Sequence, residues 1–91
     1  MSEAARYRAK PVEIEAIKYT GDVEAVRRWL TEDERKRVSI EFTGAQEIVY
    51  LTIHTIEGPM ECPPSWWVIR GTEGELYPCK DSVFQRKYEP A

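Results

Sequence analysis

Apolar and polar residues alternate at two places along the chain, and each predicts a strand. Val12, Ile14 and Ala16 alternate with Glu13 and Glu15, the period of an extended segment with one wet face. The phase then changes, because Ile17 and Tyr19 move the apolar positions to odd numbers, and a bulge or twist is expected near Ala16 and Ile17. The whole of residues 6–20 reads as strand-like, with Pro11 at or just before the strand start, where its missing N–H costs little. Val38, Ile40 and Phe42 alternate with Ser39 and Glu41 in a second strand. Residues 43–46 form a turn, and residues 47–56 return as a third strand. There Ile48, Tyr50, Thr52, His54 and Ile56 share one face, and Val49, Leu51, Ile53 and Thr55 the other. Both faces are largely apolar, which predicts a central strand covered on both sides. One helix-on-sheet layer cannot supply both covers, so a partner chain or the C-terminal segment is expected on one of them, and a two-fold homodimer with it.

Between the first two strands the period lengthens to that of a helix. Gly21-Asp22 ends the strand, Asp22 is a good N-cap, and Glu24 favours the positive helix start. Val23, Val26 and Leu30, with Trp29 beside Leu30, make one apolar stripe on a helix of about three turns. Residues 31–37 are almost wholly charged and read as a solvated helix end and loop.

The stretch from His54 to Tyr88 looks like a tight β-meander closed by a helical turn. Glu57-Gly58-Pro59 is a turn, Met60 to Cys62 can pair briefly, and Pro63-Pro64 stops the pairing. Residues 66–70 form a short strand, Gly71-Thr72-Glu73-Gly74 a glycine-bounded hairpin loop, and residues 75–79 the returning strand. Asp81 can cap a helical turn carrying Val83 and Phe84, and residues 86–89 can add a last edge strand before Pro90. The fold class is therefore α+β: one amphipathic helix on a small antiparallel or mixed sheet, with a C-terminal meander and a short helical turn. The expected core is Val12, Ile14, Val26, Leu30, Ile40, Phe42, Leu51, Ile53, Val68 and Phe84.

Size and charge narrow the setting. A chain of 91 residues is one domain with a small core, and residues 1–5 have nothing to bury and should fray. Charged residues are 32% of the chain, and the formal net charge of −3 argues against a general nucleic-acid binder. No apolar run is long enough to span a membrane, and the N-terminus carries no signal peptide, so the expected place is the cytoplasm. Cys62 and Cys79 are then thiols.

Candidate chemistry is sparse. His54, the one histidine, lies in the most apolar strand and reads as a satisfied core or semi-buried side chain rather than a base. Cys79, before Lys80, lacks a second histidine to activate it. His54, Cys62 and Cys79 are three ligands where structural zinc takes four. Gly71-Thr72-Glu73-Gly74 is too short and too acidic for a phosphate loop. The expectation is a non-enzyme that needs no cofactor and no metal. The aromatic residues are the remaining signal. Trp66 and Trp67 are adjacent in a strand and point to opposite faces. Trp67 is expected in the core, and Trp66 outward with Arg70, Tyr77 and Lys80, the composition of a binding surface.

Tyr7-Arg8-Ala9-Lys10-Pro11-Val12, Ile14-Glu15-Ala16 and Tyr19-Thr20-Gly21-Asp22 resemble the start of an uncharacterised family of small tailed-bacteriophage and prophage proteins. Thr55-Ile56-Glu57-Gly58, Trp67-Val68-Ile69-Arg70-Gly71, Gly74-Glu75-Leu76-Tyr77-Pro78-Cys79-Lys80, Val83-Phe84 and Lys87-Tyr88-Glu89-Pro90 resemble its second half. The similarity leaves out residues 30–46. It implies origin and setting rather than an activity: a phage accessory protein acting in the infected bacterium by binding a host protein. The alternatives are a small-molecule binder, such as one sequestering a nucleotide signal with Arg70, Lys80, Trp66 and Tyr77, and a minor virion or assembly component. One departure stands out. Where the family has Pro-Gly-Asp, this chain has Pro64-Ser65-Trp66, so a Gly-Asp turn and its side-chain hydrogen bond are lost and an aromatic replaces an acid.

Overall fold

The structure, a computed structural model, describes residues 4–6, 11–43 and 48–91. Over the described residues it is α+β, built from two three-stranded antiparallel sheets and three short helices. Strands are β1 (Glu15–Lys18), β2 (Val38–Thr43), β3 (Ile48–Thr55), β4 (Gly58–Cys62), β5 (Trp67–Arg70) and β6 (Leu76–Cys79); helices are α1 (Val23–Trp29), α2 (Glu32–Arg35) and α3 (Asp81–Lys87). One sheet has the order β1-β5-β6 and the other β2-β3-β4. The single sheet expected from the pattern is thus divided after β4, where the chain passes through Pro63 and Pro64 and pairs next with β1.

The first strand is shorter than its pattern. Among the described residues β1 pairs with β5 alone, β5 has four residues, and so the ladder runs only from Glu15↔Arg70 to Lys18↔Trp67. Residues 7–10 of the expected strand lie outside the described residues, and residues 11–14 have no regular structure. The phase change at Ala16 and Ile17 is not a bulge, since the register runs straight through both. Both are half-buried because both faces of this sheet are covered. Ile17 shares a face with Val68 and Pro78, turned to the main core; Ala16 shares the other with Ile69, which is fully buried.

The main core joins the two sheets and α1. Val68 and Leu76 meet Leu51, Ile53 and Cys62, and Tyr19, Val26 and Leu30 close the cluster. Ordinary local signals start α1: Asp22 accepts the Ala25 N–H at 3.2 Å, and Glu24 lies in the first turn. The helix is shorter than expected because Leu30 turns extended and Thr31 starts a new one. Thr31-Glu32-Asp33-Glu34 forms a capping box, with the Glu34 N–H donating to Thr31 Oγ1 at 3.1 Å and the Thr31 N–H to Glu34 Oε1 at 2.9 Å. The charged stretch read as solvated loop is therefore α2, and its Glu34 is buried.

Three of the residues expected in the core are outside it. Val12 is 63% exposed, Ile40 40% and Phe42 72%. Val12 precedes the short β1, while Ile40 and Phe42 lie on the core-facing side of their sheet, beyond the reach of the cover above it. Ile14 and Phe84 are half-buried. The other face of β2-β3-β4 carries Ser39, Glu41, Tyr50, Thr52, His54 and Glu61; Glu41, His54 and Glu61 are exposed and the other three half-buried, so β3 is fully covered on one face, not both. The turn read at residues 43–46 lies, from 44 on, outside the described residues.

The turn that leads into β5 is made without a glycine. The Trp66 N–H donates to Pro63 O at 3.2 Å, and Ser65 has φ 80°. That is the third position of a type II turn, which favours glycine. The Ser65 N–H and Trp66 O meanwhile bond the Tyr19 backbone at 2.6 and 2.8 Å, and this overrides the side chain's aversion to the left-handed region. Ser65→Gly should therefore stabilise the fold by about 0.5–1 kcal/mol, a left-handed cost of about 1–2 kcal/mol partly offset by glycine's entropy. Urea denaturation measures it; a lower midpoint would show that the serine is unstrained.

Candidate functional site

Trp67, not Trp66, stands at the candidate site. β5 turns Val68 and Arg70 to one face and Trp67 and Ile69 to the other, because strand residues alternate. Trp66 packs against the main core. The Trp67 ring lies flat against Phe84 of α3, with centroids 3.9 Å apart and planes 6° from parallel. Tyr88 follows Phe84 at 5.0 Å. Asp81, the first residue of α3, accepts the indole Nε1–H at 2.8 Å, and Lys18 lies 3.7 Å from the same carboxylate. These bonds, the indole first, hold the Asp81 carboxyl below its usual range. The cap position is Lys80, with no side-chain cap bond, so Asp81 serves Trp67 rather than the helix start. The edge strand expected at residues 86–89 is replaced by the end of this helix, which Phe84 docks on the sheet.

Beside the stack is an open groove of about 610 Å³. Val12, Ile14 and Ala16 line it together with Trp67, Phe84, Tyr88 and Pro90. Among the described residues its charged lining is acidic, Glu13 and Glu89, and Gln85 is also part of it. Burial first, and then the neighbouring Tyr88, raises the Tyr77 pKa. The walls come from segments far apart in the chain, and α3 holds its wall rigid through the flat stack and the Asp81 bond.

The four residues expected to share one binding face do not. Arg70 is directed away from the groove and is bound within the fold. Its guanidinium grips Glu34 with two bonds, Nε at 2.7 Å, and reaches Glu15 Oε1 at 3.0 Å and the Trp29 carbonyl at 3.2 Å. It also lies 4.1 Å over the Trp29 ring. The Arg70 bond holds the Glu34 carboxyl at about 2, and Glu34 in turn raises Arg70. Tyr77 pairs with Ile69 in the register and so lies on the opposite face from Arg70. Lys80 is exposed at the head of α3. The sequence held a signal for Arg70's true partner, the Thr31-x-x-Glu34 capping box, which marks Glu34 as part of an ordered helix start.

His54 is exposed on the polar face, with Nε2 3.3 Å from Ser39 Oγ, rather than in the core. Cys62 and Cys79 are free thiols. Burial pushes the Cys62 thiol up to about 12 and raises that of Cys79, so neither is an activated nucleophile. Among the described residues no three His, Cys, Asp or Glu side chains gather as metal ligands, and no helix is long and apolar enough to cross a membrane. Comparison with protein-family models, with curated proteins and with solved structures finds no match for this chain.

Proposed function

We propose that this chain is a small non-enzymatic phage accessory protein that binds a host protein, and that the groove beside Trp67 receives it. The observation that carries this reading is the groove itself: largely apolar walls, one of them a rigid aromatic stack. Aromatic side chains bring much apolar area at little entropic cost, which is why they dominate binding hot spots. The volume also falls in the range of small-molecule sites, about 300–1,000 Å³. A nucleotide, however, needs a cation for its phosphates. Arg70 is engaged elsewhere, and among the described residues the groove's charged lining is Glu13 and Glu89. Those carboxylates favour an apolar segment with a basic neighbour. The phage setting rests on the sequence resemblance.

The test is affinity capture from lysate of a bacterium that hosts the related phages, with mass spectrometry of retained proteins and small molecules. Val12→Asp should leave the fold intact, since Val12 is 63% exposed, and places a charge in the groove lining. It and Trp67→Ala should each weaken capture of a specific protein by about 2 kcal/mol or more, the hot-spot range; Lys80→Ala should not. Equal capture by the groove variants sinks this reading, and loss of a retained small molecule instead supports the ligand-binding one. Presence in purified virions would favour a structural role.

A further inference from the structure

The edge of the second sheet carries a separate surface. β2 is the outermost strand of β2-β3-β4, and among the described residues no strand pairs with its outer side. The Arg37 carbonyl accepts the His54 N–H at 2.8 Å. Backbone groups in an antiparallel strand point alternately toward the partner and away from it. Arg37, Ser39 and Glu41 thus face β3, and Val38, Ile40 and Phe42 aim their N–H and C=O groups at the free edge. The same three residues carry the strand's apolar side chains, aligned with Ile53, Leu51 and Val49. Ile40 is 40% exposed and Phe42 72%. A long apolar edge of this kind is a template for another strand.

We infer that two copies of this chain pair antiparallel through β2, about a two-fold axis at Ile40. The strand is self-complementary about that residue. Ile40 meets its own copy, Val38 meets Phe42, and Ser39 meets Glu41, so apolar faces apolar, polar faces polar, and no like charges oppose. Each of the outward-facing pairs exchanges both backbone bonds. The Phe42 ring arrives beside Val38 of the other copy, next to a pocket of about 150 Å³ between α1 and β2, lined by Val23, Leu30, Val38 and Ile40 with Arg27 and Arg35. Centring the axis on Ser39 sets Phe42 opposite the charged Lys36 instead. The result is a continuous six-stranded sheet with an isologous interface, on a different sheet from the Trp67 groove.

Light scattering at micromolar concentration should give twice the chain mass of 10.6 kDa. Phe42→Glu should weaken the dimer about tenfold or more with an unchanged circular dichroism spectrum. In a Cys79→Ser background, Ile40→Cys should cross-link to itself on oxidation and Glu41→Cys should not. A wild-type mass that stays at 10.6 kDa across the concentration range overturns the inference and leaves the edge to a foreign strand. A dimer untouched by Phe42→Glu, or cross-linking through Glu41→Cys but not Ile40→Cys, overturns it as well.

Discussion

Replacing Glu34 with alanine should destabilise the fold by about 3 kcal/mol, the low end for removing one partner of a buried ion pair. The Arg70 side chain is 17% exposed and that of Glu34 6%. Without Glu34 the guanidinium keeps its charge, and its remaining carboxylate, Glu15, is 70% exposed and screened. The change also removes the reciprocal half of the Thr31 capping box, freeing the start of α2. Replacing Glu34 and Arg70 together by methionine should cost less than Glu34→Ala alone, because no uncompensated charge then remains. The same pair sets an acid limit. Glu34 titrates near 4.5 when unpaired and at about 2 in the fold. Its folded pKa is depressed, so its contribution is complete above pH 4.5 and is lost as pH falls toward 2. Urea midpoints at neutral pH and in this window measure both effects. A Glu34→Gln variant with the wild-type midpoint and acid profile would show that Arg70 is not the latch described.

Leu30→Ala should cost about 2–5 kcal/mol, the range for emptying a leucine site in a core. Leu30 is 3% exposed, and its N–H closes α1 on Val26 O at 3.0 Å. α1 has seven residues, too few to hold together without tertiary packing. Leu30 and Val26 are its buried anchors, so losing one loosens the helix as well as leaving a cavity. For a domain of this size the melting temperature should fall by about 8 °C or more. An unchanged melt would place the helix elsewhere.

The local elements were legible because their signals are local. Asp22 marks the start of α1, the alternation of Val38, Ile40 and Phe42 marks β2, and Gly71 and Gly74 bound the β5–β6 loop; each rests on a few neighbouring residues. The α+β class follows from their order. What covers a strand is a different matter. Alternation shows that Ile40 and Phe42 share a face with each other, but the extent of the opposing layer decides that Phe42 is left uncovered. Ala16 and Ile17 look like a broken pattern, and only a sheet covered on both faces explains them.

The candidate site was legible in its residue types and not in its placement. Adjacent Trp66 and Trp67 must point apart, so the sequence determined that one of them leaves the core; the β5 register and α3 decided that it is Trp67. Arg70 read as a binding residue because its partner Glu34 is 36 positions away, in a segment that looks solvated. The groove draws on residues 12–14 and 16, Trp67, and residues 84, 85 and 88–91, which no spacing rule connects. Periodicity fixes which side of its own element a residue occupies. Which elements meet, and which charges are buried between them, depends on the free energy of the whole packed chain and was settled only by the tertiary structure.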